Sequence, residues 1–191
     1  MDSNKLLLKK KLVELNLKLQ AKDFVKDRIS YHWIPILDSI ISQGIFYEIV
    51  SLCNVTQESY LALFRAIEDL KHPALCSSLI QLSDKNMIDD FYIKFPSLDK
   101  LKYVMNLPKI NSPNQEFHEI ISQKEGLPNF EQEQVFFLSP DWSPVIKLNW
   151  KDIIEKGELI FNDIPLSYMF SNLSFSKILF KSLEDDWYVV K

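Results

Sequence analysis

The hydrophobic pattern of this 191-residue chain changes period once, and the point of change constrains the fold more than any other feature. Up to "EGLPNFEQE" (residues 125–133) the apolar residues recur at three- and four-residue spacing, the signature of helices with one buried stripe. Beyond it come short runs of β-branched and aromatic residues punctuated by proline and glycine, which read as strands joined by turns. The expected architecture is α+β and helix-dominated. An N-terminal multi-helix bundle or array (1–127) packs against a small C-terminal β-sheet with one or two helices (128–191), the two parts forming one unit.

The helical part opens with residues 5–28, where Leu8, Leu12, Leu15 and Leu19 share one face and lysines stand on the other. "YHWIPILDSIISQGIFYEIVSLC" (31–53) reads as further helix, with Pro35 in an early turn and Gly44 marking a break. Thr56 can cap "QESYLALFRAIEDL", and His72-Pro73 ends it before the apolar helix "ALCSSLIQL". Asp84 and Ser97 look like caps for two more short helices. Ser112-Pro113-x-Gln115 resembles a capping box for "NQEFHEIISQKE", which Gly126 is placed to close.

In the last third, "QVFFLS" and "PVIKLNW" are expected to be two strands around the turn "PDWS", and "WKDIIEKG" a short helix closed by Gly157. "ELIF" reads as a strand, "PLSYMFSNLSFSKILFKSL" as helix with a breaker near Asn172, and "DWYVVK" as a final strand. No period of 34 to 45 residues is firm enough for a solenoid.

Composition removes several function classes. Only three glycines occur, and neither G-x-G-x-x-G nor the Walker pattern is present, which argues against common nucleotide-binding folds. The longest unbroken apolar run near the N-terminus is Leu6 to Leu8, too short for a signal-peptide core or a membrane span, so the chain reads as cytoplasmic with no integral membrane association. Cys53 and Cys76 sit in apolar helical segments and read as buried thiols rather than a disulfide. The sequons at Asn54 and Asn172 carry little meaning without a secretory route.

Catalytic motifs are also missing from the pattern. His32, His72 and His118 stand about forty residues apart, and "HEIIS" at 118 has Ser122 where a zinc-binding helix needs its second histidine. Neighbouring carboxylates such as Asp89-Asp90 and Glu184-Asp185-Asp186 point in different directions along a regular element. No serine stands in G-x-S-x-G. No cofactor is expected.

Charge supplies the functional expectation. Residues 1–30 carry eight Lys or Arg against four Asp or Glu, whereas the remainder carries fourteen against twenty-two. An acidic body repels nucleic-acid phosphate and attracts a basic protein. Large aromatics among acidic residues in the last third match the composition of protein-binding hot spots. The candidate partner-binding residues are Asp141, Trp142, Trp150, Asp152, Glu155 and Asp163, and the expected function is a non-enzymatic protein-binding module that occludes or positions a basic partner, such as a toxin-neutralising immunity protein or an inhibitor.

The alternative is a metal-dependent hydrolase or nuclease using the carboxylates from Asp141 to Asp163, including Glu158, which requires them to converge. A third reading, a nucleic-acid regulator, requires Lys5, Lys9, Lys10, Lys11, Lys18 and Lys22 to form an exposed stripe, whereas several are expected to pair with the acidic body.

Overall fold

The computed structural model describes residues 3–52, 62, 65–72, 106–110, 115–123, 127–130, 134–139, 144–162 and 164–190. The helices expected at 74–82 and 85–94, most of that at 98–107, the caps Thr56, Asp84, Ser97 and Ser112, the stop Gly126, Asp89-Asp90, the Asn54 sequon and both cysteines lie outside the described residues.

Helix α1 (Ser3–Phe24) continues without interruption into wide π-helical turns (Val25–Trp33) and then α2 (Ile34–Ser42). In the wide turns the Ser30 hydroxyl donates to the carbonyl of Val25, five residues back, at 3.1 Å. Pro35 sits in the first turn of α2, where its fixed φ suits the helix. Gly44 ends α2 as expected. Its φ of +61° is one that a Cβ resists, and it lets the Ile45 N–H turn back to Ile40 O at 3.0 Å.

Beyond Gly44 the chain departs from the helical reading of 31–53. Residues Tyr47–Leu52 form strand β1, which pairs antiparallel with strand β3 (Pro144–Asn149). The run "YEIVSL" is too short past a glycine stop to continue a helix profitably, and its β-branched Ile49 and Val50 fall on opposite faces of a sheet that buries both completely.

Strands β2 (Gln134–Leu138) and β3 (Pro144–Asn149) pair as the expected hairpin, and α4 (Trp150–Lys156) comes directly after, closed by Gly157. Here α3 (Phe117–Ser122) is the helix that precedes β2. Two further readings are corrected. "ELIF" is α5 (Glu158–Phe161), a single turn running on from Gly157, and the segment read as helix around Asn172 is instead the hairpin β4 (Tyr168–Asn172) and β5 (Ile178–Lys181). All nine residues of these two strands are buried, so the alternation that reveals a half-exposed strand is absent from their sequence. Strand β6 (Trp187–Val190) completes a six-stranded antiparallel sheet in the order β1-β3-β2-β4-β5-β6.

The N-terminal helical region packs against this C-terminal mixed region, giving an α+β fold. On one face of the sheet, Trp33, Leu37 and Ile40, Phe117 and Ile120, and Ile153 and Phe161 cover Phe137, Ile146, Leu148, Phe170 and Trp187. Ring packing binds the layers together. Phe161 meets Phe170 edge-on at 4.9 Å and Phe117 reaches Phe161 at 5.3 Å, contacts that each add about 0.5–1.5 kcal/mol beyond buried area. A second cluster on the opposite face holds Val50, Leu107, Phe136, Leu138, Met169 and Phe180. Among the described residues, no helix is long and apolar enough to cross a membrane.

Candidate functional site

Of the six residues singled out for partner binding, Asp141, Trp142 and Asp163 lie outside the described residues. Trp150 is buried in the core, its indole 4.6 Å from the Phe130 ring and edge-on to Phe170 at 5.6 Å. Helix α4 places it there by starting at the end of β3, whose pleat aims this position inward. Phe170 and Trp187, two more large aromatics of the last third, are likewise core. Asp152 lies in the first turn of α4, where a carboxylate favours the helix dipole, and accepts from the Asn149 side chain at 3.4 Å. Glu155 is exposed and stands 3.8 Å from Lys151 on the same helix.

These described carboxylates hold separate local partners. Among the described residues, no three His, Cys, Asp or Glu side chains come together as metal ligands. His118, which begins the zinc-like "HEIIS", is half-exposed with Nδ1 3.4 Å from Glu116 and 3.7 Å from Glu158. Ser122 at the fifth position donates its hydroxyl to the Glu119 carbonyl at 2.8 Å, a helix contact. His72 Nε2 lies 3.0 Å from Asp38, joining the 65–72 segment to α2.

The structure does assemble one acidic face that spacing alone did not reveal. Asn162, after α5, accepts from the Phe117 N–H at 2.9 Å and donates to Glu116 at 3.2 Å, clamping the start of α3 to the end of α5. Glu119 accepts the Glu116 N–H at 3.1 Å, the reciprocal half of a capping box. Glu116 and Glu158 thereby flank His118, Glu119 stands on the same helix, and all three carboxylates are exposed. Glu158 lies about forty residues beyond the other two, and the Asn162 clamp and the Phe117–Phe161 ring contact bring the two segments together.

The second surface is α1. Ala21 and the half-buried Leu17 and Phe24 anchor its C-terminal end, with Phe24 edge-on to Trp33 at 5.6 Å. Residues 4–16 are exposed on every side. The expected pairing of the α1 lysines with the acidic body is not observed among the described residues. Lys5, Lys9, Lys10, Lys11, Lys18 and Lys22 are all exposed, and Lys18 bonds Glu14 of its own helix at 2.9 Å. That hydrogen bond and the Lys18 charge hold the Glu14 carboxyl below its ordinary range, and Arg65 adds a smaller pull across the gap.

Between α1 and the helical residues 65–69 runs a cleft of about 440 Å³. Leu15 and Leu19 form one wall, Ala62 and Ala66 the other, and Lys18, Lys22 and Arg65 stand along the rim with Glu14 and Asp69. The leucine spacing was legible in the sequence; that the stripe remains uncovered was not. No protein-family profile matches the chain, and no curated protein and no solved structure shows significant similarity to it.

Proposed function

We propose that this chain is a non-enzymatic, cytoplasmic protein-binding module whose acidic body docks a basic partner protein and occludes or positions it, as an immunity protein or inhibitor does. The supporting observation is the segregation of charge. The positive excess lies on a projecting helix, and the body behind it presents Glu116, Glu119, Glu155 and Glu158 to solvent. Such a field accelerates encounter with a basic surface and discriminates against acidic ones. A toxin that cleaves nucleic acid is the kind of target that suits it, because a site built for phosphates accepts carboxylates.

The test is affinity capture of the tagged protein from its own cell's lysate at low and high salt, read by mass spectrometry. One stoichiometric basic protein that is lost at high salt supports the reading. The double variant Glu155→Lys, Glu158→Lys, which leaves the Glu116–Asn162 clamp in place, should then lose that protein while the fold survives. Retention of the partner by the double variant would refute the acidic face as its dock.

A further inference from the structure

We infer that the exposed leucine stripe of α1 is the docking site for an acidic amphipathic helix of a partner protein. This surface is distinct from the acidic face above, and the inference does not depend on that reading. Leu8, Leu12, Leu15 and Leu19 are each more than half exposed, Leu8 reaching 74 %. Seven of the fourteen large hydrophobic side chains exposed among the described residues lie on this one helix. Apolar side chains scattered singly are ordinary on a protein surface, whereas a contiguous patch of them with a polar rim marks an interaction site.

The spacing of 4, 3 and 4 residues is that of a helix-pairing seam, and the cleft beside it has the form of a groove that receives a rod. Charge selects which rod. Of the eight charged residues on α1, six are lysines, with Glu14 and Asp23 the exceptions. Lys11 and Lys18 flank one side of the seam and Lys9 the other, so a helix with leucines on its inner face and glutamates beside them meets opposite charge along its length.

The same residues argue against the other occupants. Continuing the seam in both directions reaches Lys5 and Lys22. A second copy of α1 would set Lys5 against Lys5 and Lys22 against Lys22 if parallel, or Lys5 against Lys22 if antiparallel. A lipid surface requires one apolar sector facing a plane. Here Leu6 and Val13 are exposed on another side of the helix, with Lys9 between the two stripes, and Ala62 and Ala66 wall the cleft where the plane would lie. Nucleic-acid phosphate would engage the lysines and leave the leucines in water.

The experiment uses the full chain and a synthetic 21-residue helical peptide with leucines at seam positions and glutamates flanking them, read by fluorescence anisotropy at low and high salt. The expected result is saturable binding that weakens at least tenfold at high salt, with no binding of the same peptide bearing lysines for glutamates. The Leu12→Asp, Leu15→Asp variant should lose binding at least tenfold with an unchanged circular-dichroism melt, since both side chains are exposed. The Lys9→Glu, Lys11→Glu, Lys18→Glu variant should reverse the preference and bind the lysine peptide. Absence of acidic-peptide binding at low salt overturns the proposal. So does a dimer in light scattering that Leu12→Asp, Leu15→Asp disperses, or binding to phosphatidylserine vesicles or duplex DNA in place of the peptide. Recovery of no basic partner, with peptide binding at α1 intact, would refute only the acidic-face reading, and the converse result only this one.

Discussion

The phenolic hydroxyl of Tyr168 donates to the backbone carbonyl of Phe161 at 2.8 Å. Tyr168 is the first residue of β4 and Phe161 the last of α5, so this one bond ties the helical layer to the sheet inside the core. The Lys181 ammonium lies 5.7 Å from the centre of the Tyr168 ring and reaches Asp185, in the turn between β5 and β6, at 2.6 Å.

Replacing Tyr168 with phenylalanine keeps the ring and removes the donor. The buried Phe161 carbonyl then loses this partner, and stability should fall by about 1–2 kcal/mol in urea unfolding. Burial, with a smaller contribution from the Asp185 charge, pushes the Tyr168 phenol well above its ordinary pKa. The folded state therefore holds this proton more tightly than the unfolded state. Its contribution to stability is complete below about pH 10 and falls as pH rises beyond that value. Denaturation midpoints measured from about pH 9 to about pH 11.5 should decline more steeply for the native chain than for Tyr168→Phe.

Gly157→Ala should destabilise the protein by about 1–3 kcal/mol. Gly157 joins α4 to α5 with an ordinary φ of −74°, so the cause is space. An added Cβ would collide with the carbonyl oxygen of Ile153 and come within 2.9 Å of the Phe161 ring and 3.1 Å of Phe117. A thermal midpoint unchanged from the native chain would show that the two helices shift apart freely.

Trp150→Ala should cost about 3–5 kcal/mol, the range for deleting a large buried aromatic side chain. Glu155→Gln, on the exposed side of the same helix, should change stability by no more than about 0.5 kcal/mol. Guanidinium unfolding of the two variants checks both, and a near-neutral Trp150→Ala would contradict its place among Phe130 and Phe170.

Asn172→Ala should loosen the β4–β5 turn and cost about 1–3 kcal/mol. The Asn172 amide donates to Ser174 and Ser176 at 3.0 and 2.9 Å, and its carbonyl accepts from the backbone of Ser176 and Lys177 at 2.9 and 3.0 Å. Phe175 holds φ at +54° in this turn, a conformation these bonds help to sustain. Amide exchange at Ser176 and Lys177 should accelerate in the variant. The same engagement of Asn172 makes its sequon a poor acceptor in the folded chain.

The sequence by itself determined the opening helix α1, the β2–β3 hairpin, the short helix ended by Gly157 and the closing strand at Trp187. Each of these carries a local signal, such as a capped amphipathic stripe, a proline-bounded apolar run or a glycine stop. Local signals are set within a turn or two of chain, and they survive in one dimension. The leucine stripe of α1 was legible for the same reason.

Tertiary structure decided the rest. Strand β1 exists because β3 offers it an edge, and that offer comes from residues about a hundred positions away. Both faces of the β4–β5 hairpin are buried, so its residues show no two-residue alternation of apolar and polar to separate it from a buried helix. Trp150 became core rather than contact surface because α4 begins at the end of β3 against the Phe130 and Phe170 rings. Exposure is likewise a property of the assembled fold: the Leu8 to Leu19 stripe reads as a buried face in sequence, and the packing of α1 by its C-terminal end leaves it open to solvent.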